Sequence, residues 1–187
     1  MELILASGSP RRIELLRRLH LPFQVEVSEA DESPRPGERP EAMVRRLAVL
    51  KAVLVARRHP QAVVLAADTT VALGERILGK PADPQEAKAM LSLLSGRRHQ
   101  VYSGVAAYQE ARGRGWVRTA VAQVTFRTLS EEEILAYIAT GEPMDKAGAY
   151  AIQGGAGGFV EAFQGDLEAV IGLPLDLVKA LLRHFAD

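Results

Sequence analysis

The chain has no cysteine, no asparagine and no net charge. Without cysteine it can form no disulfide, no thiolate nucleophile and no zinc–thiolate site. Lys plus Arg and Asp plus Glu both total 23, so no overall field attracts a polyanion such as DNA. A site for an anion must therefore be built locally, and we expect no nucleic-acid partner.

Long apolar runs are also missing. No run approaches the roughly 20 residues of a membrane span, and the N-terminus lacks the pattern of a secretory signal peptide. We therefore expect a cytoplasmic protein with no membrane partner. A length of 187 residues suits one domain with a sizeable core, so we expect residues 1–187 to form a single domain.

The first twelve residues predict a strand, a tight turn and the start of a helix. Residues 3–6 are apolar; after the turn, Ser9 can cap the helix and Pro10 suits its first position. A helix N-terminus attracts an anion, and Arg11 and Arg12 add positive charge there. About 100° separates the two arginines around a helix, so they cannot serve the same atom of a ligand.

A second candidate lies far downstream. Residues 63–67 predict a buried strand that ends in the carboxylate of Asp68. A phosphate cradle together with an acid at a strand end indicates metal-assisted chemistry on a phosphate ester. Each feature also occurs without function, since similar helix starts are often plain surface and an Asp after a strand is often a turn residue.

The remaining chain alternates helical and extended patterns. The predicted class is α/β with a mixed sheet, because the early elements alternate and the middle strands form antiparallel pairs. The patterns predict helices over 10–20, 40–58, 84–94, 131–141 and from 174 onward, strands at 2–6, 23–27, 63–67, 99–108 and 116–127, and a hairpin at 71–78.

Two polar residues outside the main motifs have open interpretations. Glu32 lies in a proline-rich loop over 28–39, which is either a functional loop or a solvated acidic one. The helix over 40–58 has an apolar stripe of Met43, Leu47, Leu50 and Leu54, and Lys51 lies at its flank. Its ammonium either enters a cleft or, as is commoner, reaches the surface while its stem packs.

Glycine-rich segments point to no standard nucleotide fold. Four glycines in five residues follow Gln153, and they allow close approach of the backbone to a ligand. Their spacing is not that of a dinucleotide-binding motif. The segment Gly79-Lys80-Pro81 lacks the upstream glycine and the hydroxyl residue of a P-loop.

Several segments match the motifs of one known family. They are LASGSPRR at 5–12, ADTTV at 67–71, GKP at 79–81, LSG at 94–96 with His99 and Val101, KAGAYAIQG at 146–154, and residues 170–175. In this combination and order, covering nearly the whole chain, they resemble the Maf family of nucleoside triphosphate pyrophosphatases, once described as septum-formation inhibitors. The resemblance implies an elongated, inosine-triphosphatase-like (Maf/Ham1) α/β fold, with a mixed twisted sheet and two lobes around a cleft.

Within that family the chain looks like the dTTP/UTP pyrophosphatase branch. Arg12, Thr69 and Gln153 stand where that branch has its specificity residues. Members that act on 7-methyl-GTP typically carry an aromatic residue at the position of Arg11, a Gln in place of Thr69 and a Glu near Gln153. The implied reaction is hydrolysis of dTTP and UTP to the monophosphate and pyrophosphate, by attack of water on the α phosphorus.

The resemblance also implies roles for individual residues. Asp68 is the candidate base or metal-linked carboxylate, and Glu32 is the second acid. These two acids would hold a divalent cation (Mg²⁺, Mn²⁺ or Co²⁺) together with phosphate oxygens. The implied phosphate-binding residues are Ser7, Arg11, Lys51 and Lys80. Gln153 can both donate to and accept from a uracil or thymine edge, and dimers are common in the family.

Two alternatives compete with this prediction. One is a nucleotide-binding regulator of septum formation that performs no hydrolysis. The other is a pyrophosphatase of the same fold that acts on 7-methyl-GTP or another modified nucleotide. Release of pyrophosphate from dTTP separates the first alternative from an enzyme.

Overall fold

The computed structural model describes residues 1–186 as a seven-stranded mixed sheet with helices packed around it. The strands are β1 (Leu3–Leu5), β2 (Gln24–Val25), β3 (Val63–Leu73), β4 (Arg76–Leu78), β5 (Arg98–Gln109), β6 (Arg114–Phe126) and β7 (Val160–Gln164). The helices are α1 (Pro10–Arg17), α2 (Pro40–Ala56), α3 (Pro84–Leu94), α4 (Glu131–Ala139), α5 (Leu167–Ile171) and α6 (Leu175–Leu182). Short 3₁₀ helices span Glu110–Arg112, Glu142–Asp145, Ala147–Ala149, Gly155–Phe159 and Arg183–Phe185.

The sheet has the order β2-β1-β3-β5-β6-β7, and β4 pairs with β3 outside this path. Strand β1 is parallel to β2 and β3, whereas the other pairs are antiparallel. The predicted α/β class with a mixed sheet is confirmed.

Local capping starts the helices where the sequence predicts them. The side chain of Ser9 accepts a hydrogen bond from the third backbone N–H after it, at 3.4 Å. Asp83 does the same for α3 at 2.8 Å. Ser130 and Glu133 form a complete capping box at the start of α4. Each contact satisfies an N–H that has no partner inside its helix.

Strand β3 corrects one prediction. The sequence placed the end of the strand at residue 67 and Asp68 just beyond it. The strand instead continues to Leu73, and Asp68 stands opposite Gly104 of β5. A Cβ on Gly104 would lie 2.5 Å from the carbonyl oxygen of Val44, so this glycine lets α2 approach the sheet beside the acid.

Buried apolar side chains form three clusters. The first packs α1 and α6 against the Leu65 end of β3, and the second packs α3 and α4 against its Val71 end. The third fills the space between α2 and the other face of the sheet. The first two clusters form the two lobes, so the middle of β3 lies between them.

Helix α2 buries a different stripe from the one predicted. Met43 and Leu47 are buried as expected, but Leu50 and Leu54 are only half-buried. Lys51 is buried in their place. No helix within residues 1–186 combines the length and apolar character that a membrane span needs.

Candidate active site

The cleft lies where one edge of β3 is left without a strand partner. Strand β1 pairs with β3 only as far as Leu65, and β4 pairs with it only from Val71 onward. Within residues 1–186, residues 66–70 therefore have a strand neighbour only on their β5 side. Because side chains alternate across a strand, Asp68 and Thr69 leave this open edge toward opposite faces of the sheet.

Two adjoining cavities occupy the cleft, with volumes of about 180 and about 310 Å³. Both are lined by Arg11, Arg12, Glu32, Lys51 and Lys80. The smaller cavity is also lined by Asp68, Thr69 and Gln153, and we call it the base-side cavity after the predicted role of Thr69 and Gln153. The larger cavity is lined by Ser7 and the turn before α1, and we call it the phosphate-side cavity after the predicted role of Ser7. Every residue that the sequence singled out as a site residue lines at least one of them.

Lys51 is the centre of the acidic part of the cleft. Its Nζ atom lies 2.5 Å from Oε1 of Glu32 and 2.9 Å from Oδ1 of Asp68, and it donates to the carbonyl oxygen of Ala67 at 3.3 Å. Lys51 and Asp68 are each only 8% exposed. The interpretation of Lys51 as an ordinary surface lysine is therefore wrong, and its ammonium holds two carboxylates next to the cavities.

The phosphate-side cavity has the polarity expected of an anion site. It is lined by the turn that leads into α1, where the backbone N–H of Ser9 donates to Oγ of Ser7 at 3.2 Å. Arg11 and Lys80 add two cationic side chains, and Lys80 is exposed at the rim. The N-terminal end of α1 adds its own positive dipole.

Arg12 occupies a different environment from Arg11, as the helical spacing predicts. Its Nε donates to the carbonyl oxygen of Gly172 at 2.9 Å, and its Nη2 donates to Oγ1 of Thr69 at 3.1 Å. Burial lowers the pKa of Arg12 and the nearby Asp68 opposes that shift, but an arginine stays charged at physiological pH. Arg12 therefore joins α1 in one lobe to the open edge of β3.

The hydroxyl of Thr69 continues this chain of hydrogen bonds. It lies 2.7 Å from Oγ of Ser103, its cross-strand neighbour on β5. Ser103 is fully buried and donates to the carbonyl oxygen of Ala169 at 2.5 Å. Ser103 is not among the site residues predicted from the sequence, because a single serine within a strand pattern carries no signal of its own.

Gln153 lies on a loop that is held on both sides. The backbone N–H of Ala151 donates to the hydroxyl oxygen of Tyr137, and that of Gly155 donates to Oε2 of Glu142, each at 3.0 Å. Burial and a hydrogen bond to Glu142 raise the pKa of Tyr137. A Cβ on Gly154 would lie 1.9 Å from Oε1 of Glu142. The close approach of Gly154 to Glu142 fixes the loop that carries Gln153, and the approach of these glycines to a ligand stays a prediction.

Tyr150 and His99 form a buried polar pair behind the base-side cavity. Tyr150 lines that cavity, and its hydroxyl lies 2.7 Å from Nε2 of His99. Burial lowers the pKa of His99 to about 4, so its ring is neutral at physiological pH. Within residues 1–186 the other ring nitrogen, Nδ1, has no hydrogen-bond partner.

Asp145 and Lys146 are charged cleft residues to which the sequence assigned no role. Both line the base-side cavity, Asp145 lines the other cavity too, and their side chains form an ion pair. This hydrogen bond is the main cause of a lowered pKa for Asp145. Lys146 opens the KAGAYAIQG segment, so its place in that motif is the signal that could have identified it.

The carboxylates suit a divalent ion that arrives with a phosphate ligand. Within residues 1–186 no three His, Cys, Asp or Glu side chains come together as a metal site. Asp68 and Glu32 lie on either side of the Lys51 ammonium, which brings two hard oxygen ligands close together. Mg²⁺ commonly binds through one or two carboxylates plus substrate phosphates and waters, so this donor set fits such an ion.

The geometry agrees with comparisons of the whole chain with known proteins. The family described as Maf-like protein matches residues 2–185. The chain belongs to the Maf family. A dTTP/UTP pyrophosphatase of Myxococcus xanthus is 55% identical to this Maf chain over 97% of its length and 91% of the relative. Another, from Moorella thermoacetica, is 51% identical over 98% of this chain and 95% of the relative.

A solved structure supports the fold of this Maf chain. The Ham1 protein of Staphylococcus aureus matches it with a TM-score of 0.53 over 100% of both chains. The sequences are 13% identical, so the likeness concerns the fold alone. The predicted Maf/Ham1 fold, with two lobes around a cleft, is confirmed.

Proposed function

We propose that this protein is a nucleoside triphosphate pyrophosphatase that hydrolyses dTTP and UTP to the monophosphate and pyrophosphate. One observation carries the proposal: a buried lysine holds two carboxylates beside a cationic cavity at a helix N-terminus. An enzyme that cleaves a phosphoanhydride needs both a base that takes a proton from water and cations that neutralise the phosphates. The names of the Maf relatives from Myxococcus xanthus and Moorella thermoacetica support the choice of dTTP and UTP.

The triphosphate binds in the phosphate-side cavity. Ser7 and the positive N-terminal end of α1 hold the phosphate oxygens, while Arg11 and Lys80 neutralise their charge. Lys51 lines the same cavity and contacts Glu32, so its ammonium can also contact a bound phosphate. The base then lies in the other cavity, with Thr69 and Gln153.

Asp68 is the proposed general base. Its Oδ1 accepts from Lys51, which fixes the carboxylate and leaves Oδ2 to take a proton from water. The water oxygen bonds to the α phosphorus, the bond to the β-phosphate oxygen breaks, and pyrophosphate leaves. The proton on Asp68 then returns to solvent. Lys51 and Glu32 keep Asp68 oriented during these steps.

Asp68 and Glu32 are also the residues that would hold a divalent cation. When bound, such an ion neutralises phosphate charge and polarises the phosphoryl group that is attacked. The arginines, lysines and helix N-terminus orient the nucleotide independently of that ion.

The base is read by donors and acceptors at the base-side cavity. The amide of Gln153 can meet the N3–H and a carbonyl of uracil or thymine, but it can also flip to meet cytosine. Arg12 can only donate, and it fixes the orientation of the hydroxyl of Thr69. Arg12 and Thr69 therefore present a donor and a hydroxyl of fixed orientation, whereas the amide of Gln153 can exchange its donor and acceptor by flipping.

Composition and the family resemblance together support wider proposals about the protein in the cell. They are a cytoplasmic location, a homodimer, no nucleic-acid partner, a house-cleaning role and a role in cell division arrest. These stay predictions.

A screen of pyrophosphate release tests the proposed function. The purified chain is incubated with common and modified nucleoside triphosphates, with and without Mg²⁺, Mn²⁺ or Co²⁺. We expect release from dTTP and UTP, little from CTP, and dependence on the divalent ion. Faster cleavage of 7-methyl-GTP than of UTP would favour the other branch of the family. Binding of dTTP without pyrophosphate release would favour a regulator.

A further inference from the structure

The hydrogen bonds around Thr69 have one possible direction, because each hydroxyl group has only one proton to donate. Ser103 gives its proton to the carbonyl oxygen of Ala169, so in the contact between Ser103 and Thr69 the donor is Thr69. Thr69 in turn accepts from Nη2 of Arg12. The chain runs in one direction, from Arg12 through Thr69 and Ser103 to Ala169.

This direction limits what Thr69 can offer to a ligand. Its proton points away from the base-side cavity toward Ser103, and one lone pair is used by Arg12. A hydroxyl oxygen has a second lone pair, which is still available. Thr69, which lines that cavity, can therefore accept from a bound base but cannot donate to it.

We propose that Ser103 is a positioning residue for base selection, which acts by making the Thr69 hydroxyl a pure acceptor. The inference rests on the proposed function, because it needs a nucleobase in the base-side cavity. Uracil and thymine present one N3–H, which the Thr69 oxygen accepts in place of the Gln153 amide oxygen, so that the Gln153 amide donates to a carbonyl of the base. Cytosine presents an unprotonated N3, which would face a lone pair of Thr69 and stay unpaired. Ser103 thus favours UTP and dTTP over CTP without contacting the nucleotide.

The position of Ser103 suits this role. It stands directly opposite Thr69 in the pairing of β3 with β5, and it is fully buried. Its acceptor is a backbone carbonyl of α5, which cannot become a donor. The orientation of the Ser103 proton is therefore imposed by the fold and does not respond to the bound base.

Ser103→Ala tests the proposal through a ratio of substrates. Without the Ser103 oxygen, the Thr69 hydroxyl can turn and donate to N3 of cytosine. We expect the ratio of kcat/KM for UTP to that for CTP to fall about tenfold, roughly the worth of one buried hydrogen bond. Most of the change should be a gain with CTP, because Thr69 can still accept from uracil. Ser103→Thr keeps a hydroxyl on the same atom and should restore the ratio.

A double-variant cycle shows whether Ser103 acts through Thr69. Thr69→Val removes the hydroxyl, so adding Ser103→Ala in that background should leave the ratio unchanged. The matched control is Ser95→Ala, which removes a serine hydroxyl that accepts from the backbone N–H of Leu129 at 2.7 Å outside the cleft. This control should keep the wild-type ratio.

The outcomes separate this inference from the proposed function. If wild-type protein releases no pyrophosphate from UTP or dTTP, the proposed function itself fails. If wild-type protein selects UTP but Ser103→Ala keeps that selectivity, only the role of Ser103 is overturned. An equal loss with both substrates, together with a lower melting temperature, would show that Ser103 serves the fold alone. If Ser103→Ala does not fold, an unchanged ratio in Thr69→Val would overturn the inference.

Discussion

Lys51 and Asp68 form a buried ion pair, with Nζ of Lys51 lying 2.9 Å from Oδ1 of Asp68. The two residues are brought together by α2 and β3, which pack through small side chains on the face of the sheet opposite α1 and α6. Because Lys51 also contacts Glu32, one ammonium keeps two like charges close together. Lys51 thus fixes the position of the Asp68 carboxylate beside the cleft.

Asp68→Asn should remove the base while keeping the fold. The substitution preserves size and hydrogen bonding to Lys51 but removes the charge that takes a proton from water. We expect kcat for UTP, measured as pyrophosphate release, to fall by about 10²–10⁴-fold. The circular dichroism spectrum should stay unchanged. Asp176→Asn, on the exposed face of α6, is the matched control. Retention of more than about a third of the turnover would contradict the assignment.

Arg11→Ala and Lys80→Ala should weaken every triphosphate substrate alike. Both side chains line the phosphate-side cavity and interact with charge, which all nucleoside triphosphates share. We expect a higher KM for UTP and dTTP by the same factor. Arg17→Ala, an exposed position on the same helix, should change neither. A change in KM for one nucleotide only would contradict the assignment of that residue to phosphate binding.

Arg12→Ala should narrow the gap between UTP and CTP. The variant removes the donor that holds Thr69 and the hydrogen bond from Arg12 to the carbonyl oxygen of Gly172. A buried group left unpaired by the wrong substrate is the main source of such discrimination, so losing a fixed donor relaxes it. The ratio of kcat/KM for the two nucleotides is the measurement, and Arg11→Ala is the control. An unchanged ratio would refute this account of the base pocket.

His99 should make the fold less stable as the pH falls from 6.5 toward 4. Burial lowers its pKa to about 4 from an ordinary value of 6.5, so the unfolded chain takes up the proton first. The free energy of unfolding therefore keeps its full value above pH 6.5. It falls by about 3 kcal/mol in total as the pH drops from 6.5 to 4. Urea unfolding of wild type and His99→Gln at several pH values measures it. A pH dependence that is unchanged in His99→Gln would contradict this assignment.

Tyr137→Phe should loosen the loop that carries Gln153. The hydroxyl of Tyr137 accepts from Ala151, and its loss leaves that backbone N–H without its partner, at a cost of about 1–3 kcal/mol. We expect a lower melting temperature and a higher KM for UTP, with a smaller change in kcat. Tyr108→Phe removes a hydroxyl that bonds Glu110 away from the cleft, so it should leave KM unchanged. Equal KM values in both variants would count against a role for this anchor.

Several elements could be predicted because their signals are local. Ser9, Asp83 and Ser130 start helices through contacts within one turn, and Gly74 turns the hairpin between β3 and β4. The residues of the cleft could be predicted only through the motif segments, which resemble a known family. Residue type alone left the start of α1, Glu32, Lys51 and Asp68 with an ordinary surface or turn interpretation.

The sequence by itself determined the order of the elements from β1 to α4, though not β7 or α5, together with the absence of cysteine chemistry and the segments that identify the family. Only the tertiary structure decided that Lys51 is buried between Glu32 and Asp68, and that Asp68 lies within β3 instead of after it. It also decided that Ser103 orients Thr69. The physical reason is that a cap or turn acts within a few residues of the chain. The open edge of β3 and the pairing of Thr69 with Ser103 depend instead on where β1 stops and in which register β5 pairs with β3.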